Sequence, residues 1–265
     1  MKIIFLGTSK YSKVYLDALR EAGYGVAEGL ENAAGADLGI IAYYGKLLSK
    51  EVLEIPRLGF INVHYSLLPR WRGPSPIQSA ILAGDEKTGV TILKVVPKAD
   101  AGDIIAQEEM EIKPGETYLE IERRLDEIGP SLLVNSLPLW LDEKIIPQKQ
   151  DESKVTRAKL FKTEDGNIDW SKTSEEILRE IRALNPSPGT FTMLDGKRLL
   201  IISAETQESS HDLAPGTIAK ENSGFKIATK DGFIIPKLIK LEGKKETAPE
   251  AFLNGHQGII GKILG

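Results

Sequence analysis

Cysteine is absent from this 265-residue chain, so it has no disulfide framework and no thiolate metal site. Its histidines are only three, His64, His211 and His256, scattered without cysteine partners, which argues against zinc. No apolar run approaches the ~18 residues needed to cross a bilayer. The opening MKIIFLGTSK is too short and too soon polar for a secretion signal. It reads as a first buried strand, and together these points place the chain in the cytoplasm, away from membranes. Excess positive charge is missing as well: the net charge is −4, so the whole protein is not a basic nucleic-acid binder. Residues 1–150 hold 17 basic and 21 acidic side chains, while the remainder holds 17 of each, so any local basic patch belongs to the second half. FLGTSKYSK carries one glycine where a dinucleotide fingerprint needs three. There is no Walker pattern and no G-x-S-x-G elbow.

What is present suits an ordinary globular protein, 41% hydrophobic and 27% charged, of a length that accommodates two domains. KIIFL, closed by Gly7-Thr8-Ser9, reads as a strand and glycine turn, and YSKVYLDALREAG as a helix with Val14, Leu16 and Leu19 toward one face. ADLGIIAYYG and GFINVH are further strands. PSPIQSAILAG follows as a helix with prolines at its start and Gly84 at its end. GVTILKVV and GDIIAQEEMEI are strands, and residues 116–141 a helical segment broken near Gly129-Pro130. Strands alternating with helices imply an α/β fold with a mainly parallel sheet. After about residue 145 the character changes. PQKQDESKVTRAK is polar and extended, and TSEEILREIRAL is a helix capped by Thr173 or Ser174. KRLLIISAE, GTIAKE, GFKIATKDGFIIPKLIKL and GIIGKIL then supply short strands in a number that suggests a small barrel.

The stretch INVHYSLLPRWRGPSPIQ calls for a chemical reading. Asn62 and His64 are two apart in a strand and so share a face, at the strand's C-terminal end. Open α/β sheets place their ligand crevices at that end. In KADAGDII, Asp100 and Asp103 flank a glycine before the next strand, and either carboxylate is placed to reach His64. An amide, an imidazole and a carboxylate around one cleft suit acyl-type transfer. The same residues also serve strand ends, caps and turns for purely structural purposes.

The segment from Asn62 to Gln107 resembles the 10-formyltetrahydrofolate-dependent formyltransferases. It carries Asn-x-His (Asn62, His64), Ser66 to Pro69 followed by Arg72-Gly73, Thr88 to Ile92, and Asp100 before Ala101-Gly102. The second half, through DGNIDWSKTSEEILREIRALNPSPGTFT, GKRLLI, PGTI, ATKDGFI and AFLNGHQGIIGKIL, is similar to methionyl-tRNA formyltransferases. The resemblance implies a Rossmann-like catalytic domain over 1–145, a linker over 146–170 and an OB-like β-barrel over 171–265 that helps hold tRNA. It implies Asn62, His64 and Asp100 as catalytic residues, and Ser66, Leu67, Leu68 and Pro69 as a loop against the folate. The co-substrate is then 10-formyltetrahydrofolate, with no metal, the acceptor is methionyl initiator tRNA, and the protein is a monomer. Arg70 and Arg72 near the cleft, Lys154, Arg157, Lys159 and Lys162 in the linker, and Lys244 and Lys245 on the barrel are the candidate tRNA contacts.

One region departs from that pattern. The family places a strand, a helix and a basic, proline-rich tRNA-recognition loop after the first helix. Here GYGVAEGLENAAGA, without Lys or Arg, is all that precedes Asp37, so a smaller sheet is expected. Two alternatives follow from the resemblance: formyl transfer to an amino sugar or hydrolysis of formyl-tetrahydrofolate, and a non-catalytic folate- or RNA-binding protein. His211 reads as an exposed loop residue and His256 as a turn residue.

Overall fold

The computed structural model describes residues 1–8 and 10–265; Ser9, read above as part of the first turn, lies outside the described residues. Two compact units divide the chain. The first comprises Met1–Ala80, Asp85–Pro114 and Leu119–Leu160, and the second Ile81–Gly84, Gly115–Tyr118 and Phe161–Gly265.

The elements follow the hydrophobic pattern closely. In chain order they are β1 (Lys2–Leu6), α1 (Lys13–Glu21), β2 (Gly25–Glu28), β3 (Leu38–Ile41), α2 (Lys50–Leu53) and β4 (Phe60–His64). Then come α3 (Pro76–Ala83), β5 (Lys87–Lys94), β6 (Ile104–Glu111) and α4 (Tyr118–Leu141). These are followed by α5 (Ser174–Leu184), β7 (Phe191–Leu194), β8 (Lys197–Glu208), β9 (Ile218–Glu221), β10 (Gly224–Ala228), β11 (Gly232–Leu241) and α6 (Pro249–Gly255).

The first sheet has the order β2-β1-β3-β4-β5-β6. Pairs β1/β2, β1/β3 and β3/β4 are parallel, whereas β4/β5 and β5/β6 are antiparallel. The link from β5 to β6 is too short for the crossover that a parallel pair demands, so those strands must run antiparallel. The α/β sheet is thus parallel-rich and Rossmann-like, and the strand order reverses beside β1, the kind of switch point at which such sheets open a crevice. The short segment after α1 does contain a strand: β2 pairs with β1 at the sheet edge, and a 3-10 turn, Leu30–Asn32, follows it. The second sheet, β7-β8-β11-β10-β9, is wholly antiparallel. Its core gathers Trp170, Ile177, Ile181, Ile201, Phe225, Ile234 and Phe252 among others.

Several details differ from the pattern reading. In α1 the buried residues are Tyr15, Leu16 and Leu19, while Val14 is 39% exposed. Tyr15 and Leu19 are one turn apart and set the buried face, to which Val14 does not belong. The helix over 118–141 is unbroken and carries Pro130 and Pro138 inside it. Gly129 serves a close approach instead, because a Cβ there would collide with the Tyr15 hydroxyl. GIIGKIL is not a strand: Gln257–Ile259 is a 3-10 turn, Gly261 sits at φ +84°, and Ile263 forms only an isolated bridge with Thr217. Its Ile259 and Leu264 act as separate buried anchors. Strand β7 and helix α6 were not anticipated. The stretch 146–160 is hydrogen-bonded within the first unit, through Gln148 with Ile104 and through the Thr156 carbonyl and Ala158 N–H with Arg72.

Candidate active site

Strand β4 runs between parallel β3 and antiparallel β5, with His64 opposite Thr91, and it delivers Asn62 and His64 to one face at its end. Asn62 is half-buried, and among the described residues no hydrogen bond engages its amide. His64 is 7% exposed. Its Nε2 lies 2.9 Å from the Trp71 carbonyl oxygen and its Nδ1 3.7 Å from Asp100 Oδ1. A carbonyl only accepts, so Nε2 carries a proton and Nδ1 is the nitrogen left to exchange one. Of the two aspartates around Gly102, Asp100 faces the imidazole. The Asp103 carbonyl accepts from the Lys94 N–H, continuing the sheet.

A single turn holds both members of that pair. Trp71 supplies the carbonyl for His64, and the Gly73 N–H donates to Asp100 Oδ2 at 2.9 Å. Trp71 and Asp100 both sit in the left-handed region, at φ +63° and +52°, as does Tyr43 at +53°. Non-glycine residues held there cluster at functional sites, where the surroundings must over-determine the backbone. The surroundings are visible. The Trp71 N–H donates to Thr156 Oγ1 and its indole N–H to Asp85, and Arg70 stacks on its ring at 4.4 Å. Gly102 is required by close approach, since a Cβ there would collide with the Lys94 carbonyl.

The residues of the Ser66–Pro69 loop fall into two groups. Ser66, 1% exposed, donates to the Arg70 carbonyl, and its own carbonyl accepts from Thr91 Oγ1. Leu68, 3% exposed, packs inside. Leu67 and Pro69 are half-buried and retain surface.

The arginines are not free cations. Arg70 makes a two-pronged ion pair with Asp85 at 2.7 and 2.5 Å, and that hydrogen bonding raises its pKa further. Arg72 is 1% exposed, with Nε on Gln150 and a terminal nitrogen on Glu152. Hydrogen bonds from Arg72 and Lys98 hold the Glu152 carboxyl below its usual range. Arg72 is therefore a buried structural cation in this conformation and is not exposed to tRNA. Lys154, Arg157, Lys159 and Lys162 are exposed, as are Lys244 and Lys245.

On α4, Asp126 accepts from the Tyr43 hydroxyl at 2.8 Å and from Tyr65, whose hydroxyl meets that of Tyr15 at 2.6 Å. Burial raises the Asp126 carboxyl and lifts all three phenols well above their ordinary value. This cluster was not anticipated, and neither were Trp71, Asp85, Thr91 and Gln150. The one available signal was the unusual R-W-R-G run between two prolines. His211 is half-buried, not exposed, because its Nε2 bonds the Gly232 carbonyl and its ring lies on Phe233. His256 caps α6 and stacks on Phe252. Among the described residues no group of three acidic or histidine side chains is placed to hold a metal. No described helix is long and apolar enough to span a membrane.

Asn62, His64 and Asp100 lie within a stretch that matches a family described as formyl transferase. A family model of that description covers residues 25–137, and one for the formyl transferase C-terminal domain covers 160–257. The methionyl-tRNA formyltransferase of Fusobacterium nucleatum is 40% identical over 232 residues, 86% of this chain and 75% of that protein. The Bacillus cytotoxicus protein of the same name is 43% identical over 86% of this chain and 74% of its own. The chain belongs to the methionyl-tRNA formyltransferase family. Among solved structures, HypX from Aquifex aeolicus superposes with a TM-score of 0.76 at 21% identity, over 99% of this chain, which spans half of HypX. An N-formyltransferase from Helicobacter canadensis, solved with folinic acid and dTDP-3-aminofucose, gives 0.72 at 17% identity, over 93% of this chain and all of that one. At these identities the likeness is one of fold.

Proposed function

We propose that this chain transfers the formyl group of 10-formyltetrahydrofolate to the α-amine of methionyl initiator tRNA, for translation initiation. The observation that carries the reading is its span. Relatives named for that activity align with 86% of the chain, and family matches fall on both the unit bearing Asn62, His64 and Asp100 and the antiparallel unit.

The folate supplies the formyl carbon. The amine nitrogen bonds to that carbon, the carbon–N10 bond breaks, and a proton leaves the amine as N10 gains one. The open amide of Asn62 donates to the formyl oxygen as it becomes negative. His64, its ring fixed through Nε2 on the Trp71 carbonyl, turns Nδ1 to the same oxygen, and Asp100 balances the imidazolium. The 3.7 Å gap between Nδ1 and Oδ1 is longer than a direct hydrogen bond, and it lets Asp100 take the amine proton through a water. Leu67 and Pro69 form the folate wall, with Ser66 and Leu68 shaping it from within. The fit to a formyl donor rests on the donor set: a neutral amide with no hydrogen-bond partner among the described residues, beside an imidazole whose tautomer is fixed.

The antiparallel unit is read as OB-like. Its longest pair, β8/β11, shifts register at Pro236, the kind of bulge that curls a sheet. It acts with Lys154, Arg157, Lys159 and Lys162 in holding tRNA phosphates, as a monomer in the cytoplasm. If those cations carry the contact, affinity falls steeply with salt. A second reading, formyl transfer to an amino sugar, is favoured by the four-residue strand and single 3-10 turn that occupy the region after α1. Incubation with 10-formyltetrahydrofolate and methionyl initiator tRNA, beside His64→Ala and Asp100→Ala, separates them. Formyl-methionine on the tRNA, lost in both variants, is the expected result. Tetrahydrofolate released only with an amino sugar or water would sink it.

A further inference from the structure

We propose that Gln150 is a positioning residue for formyl transfer, tying the turn that holds His64 to the turn that presents Asp100. The inference rests on the formyl-transfer reading above. A glutamine side chain offers one carbonyl oxygen and two N–H donors. Here the oxygen accepts from Arg72 Nε at 2.9 Å, while the nitrogen lies 2.8 Å from the Asp100 carbonyl and 2.7 Å from the Gly102 carbonyl. Both donors and the acceptor are engaged by two separate turns.

One of those turns presents Asp100, and the other holds His64 at the end of β4. Arg72 lies between Trp71, whose carbonyl fixes His64, and Gly73, whose N–H fixes the Asp100 carboxylate. Its backbone is bridged to the neighbouring stretch by the Thr156 carbonyl at 3.0 Å and the Ala158 N–H at 2.8 Å. Asp100 itself occupies the left-handed region at φ +52°, a state that aspartate tolerates better than most residues and that these bonds hold in place. Gln150 grips the carbonyl of that residue and the one two further on. Beside the direct Gly73–Asp100 bond, its amide ties the turn that fixes His64 to the backbone that presents Asp100 through three further hydrogen bonds. Gln150 touches neither imidazole nor carboxylate, so its effect reaches the chemistry through geometry alone.

Gln150→Glu tests this with almost no change in shape. A carboxylate still accepts from Arg72, as an ion pair, but it cannot donate to the two carbonyls. A residue that merely anchors Arg72 would tolerate the change. A positioning residue would not: a misplacement of about 1 Å can lower the rate ~10²-fold. The expected result is a kcat reduced about 10- to 100-fold, with KM for folate and for tRNA within about twofold of the parent. Because the chain has three histidines, imidazole 15N–1H correlation spectra resolve them singly. The His64 signals should move in Gln150→Glu while those of His211 and His256 stay. A kcat within about twofold of the parent, or unmoved His64 signals, would overturn the proposal. Should the variant fail to fold, the parent decides: both Gln150 side-chain amide protons should exchange slowly, and fast exchange overturns the idea. Absence of tRNA formylation in the parent would sink the functional reading instead, leaving the His64 and amide measurements to judge the geometry.

Discussion

In the first unit His64, Ser66, Arg72, Thr91 and Glu122 are buried, and the bonds of Arg72 and Thr91 reach residues distant in sequence. In the antiparallel unit fewer polar residues are buried, and together with the half-buried Asn185 they fasten neighbouring strands and turns. Thr190 bonds the Ile201 carbonyl, Asn185 closes onto Ile181 and Thr190, and the Trp170 indole N–H donates to Thr192. The second unit is consolidated by an apolar cluster, with polar groups as local fasteners. The first places polar bonds where backbone must be held in states it would not choose. A buried polar network fixes geometry through the bonds it does make. In the first unit those bonds converge on His64, Asp100 and Arg72, although Arg72 Nη1 is buried with no hydrogen-bond partner among the described residues.

Breaking one constraint in each unit should give opposite signatures. The largest effect is expected from Gly102→Ala. Its Cβ would collide with the Lys94 carbonyl, so the Asp100 turn must move, and kcat for formyl transfer should fall about 10²-fold or more. The counterpart is Phe225→Ala in the antiparallel core, where Phe225 is 1% exposed. Denaturant unfolding should show about 3–5 kcal/mol lost, with kcat of the folded fraction retained. A smaller loss, about 1 kcal/mol, is expected for Thr173→Ala, which removes the hydroxyl that accepts from the Glu176 N–H and donates to its carboxylate at the start of α5, and leaves the Thr173 N–H bond to that carboxylate. The smallest effect sharpens the comparison by pH. Burial raises the Asp126 carboxyl above 3.8 in the folded chain. Between that value and the folded one, the native state binds more protons than the unfolded state, so stability from this group falls as pH rises and is level above. Asp126→Asn keeps an acceptor for Tyr43 and Tyr65 and removes that titration. Melting scans from pH 4 to 7 should show the variant no less stable at pH 7, and without the parent's relative gain on acidification.

Much of the first unit was legible in order. Apolar runs located β1, β3, β4 and β5, because a strand buried on both faces needs little besides continuous apolar residues, and β6 at the sheet edge was located by its apolar start and alternating tail. Asn62 and His64 were legible because the two-residue period of a strand puts them on one face. The neighbouring aspartates were legible only as a pair, since nothing local distinguishes Asp100 from Asp103. Gly129-Pro130 misled because the glycine answers to Tyr15, more than a hundred residues earlier in the chain. Arg72 misled in the same way: its charge is matched by Glu152, eighty residues on. GIIGKIL misled because apolar content alone does not separate a strand from a run of single anchors.

The sequence by itself determined most elements of the first unit, the division into an α/β part and a β-rich part, and the Asn-x-His strand end. Those depend on periodicity and turn chemistry, which act over a few residues. The tertiary structure alone decided which aspartate faces His64, which imidazole nitrogen is free, that Arg72 is buried, and that Gln150 joins two turns. These depend on hydrogen bonds between residues far apart in the chain, whose pairing is set only when the sheet brings its strand ends together.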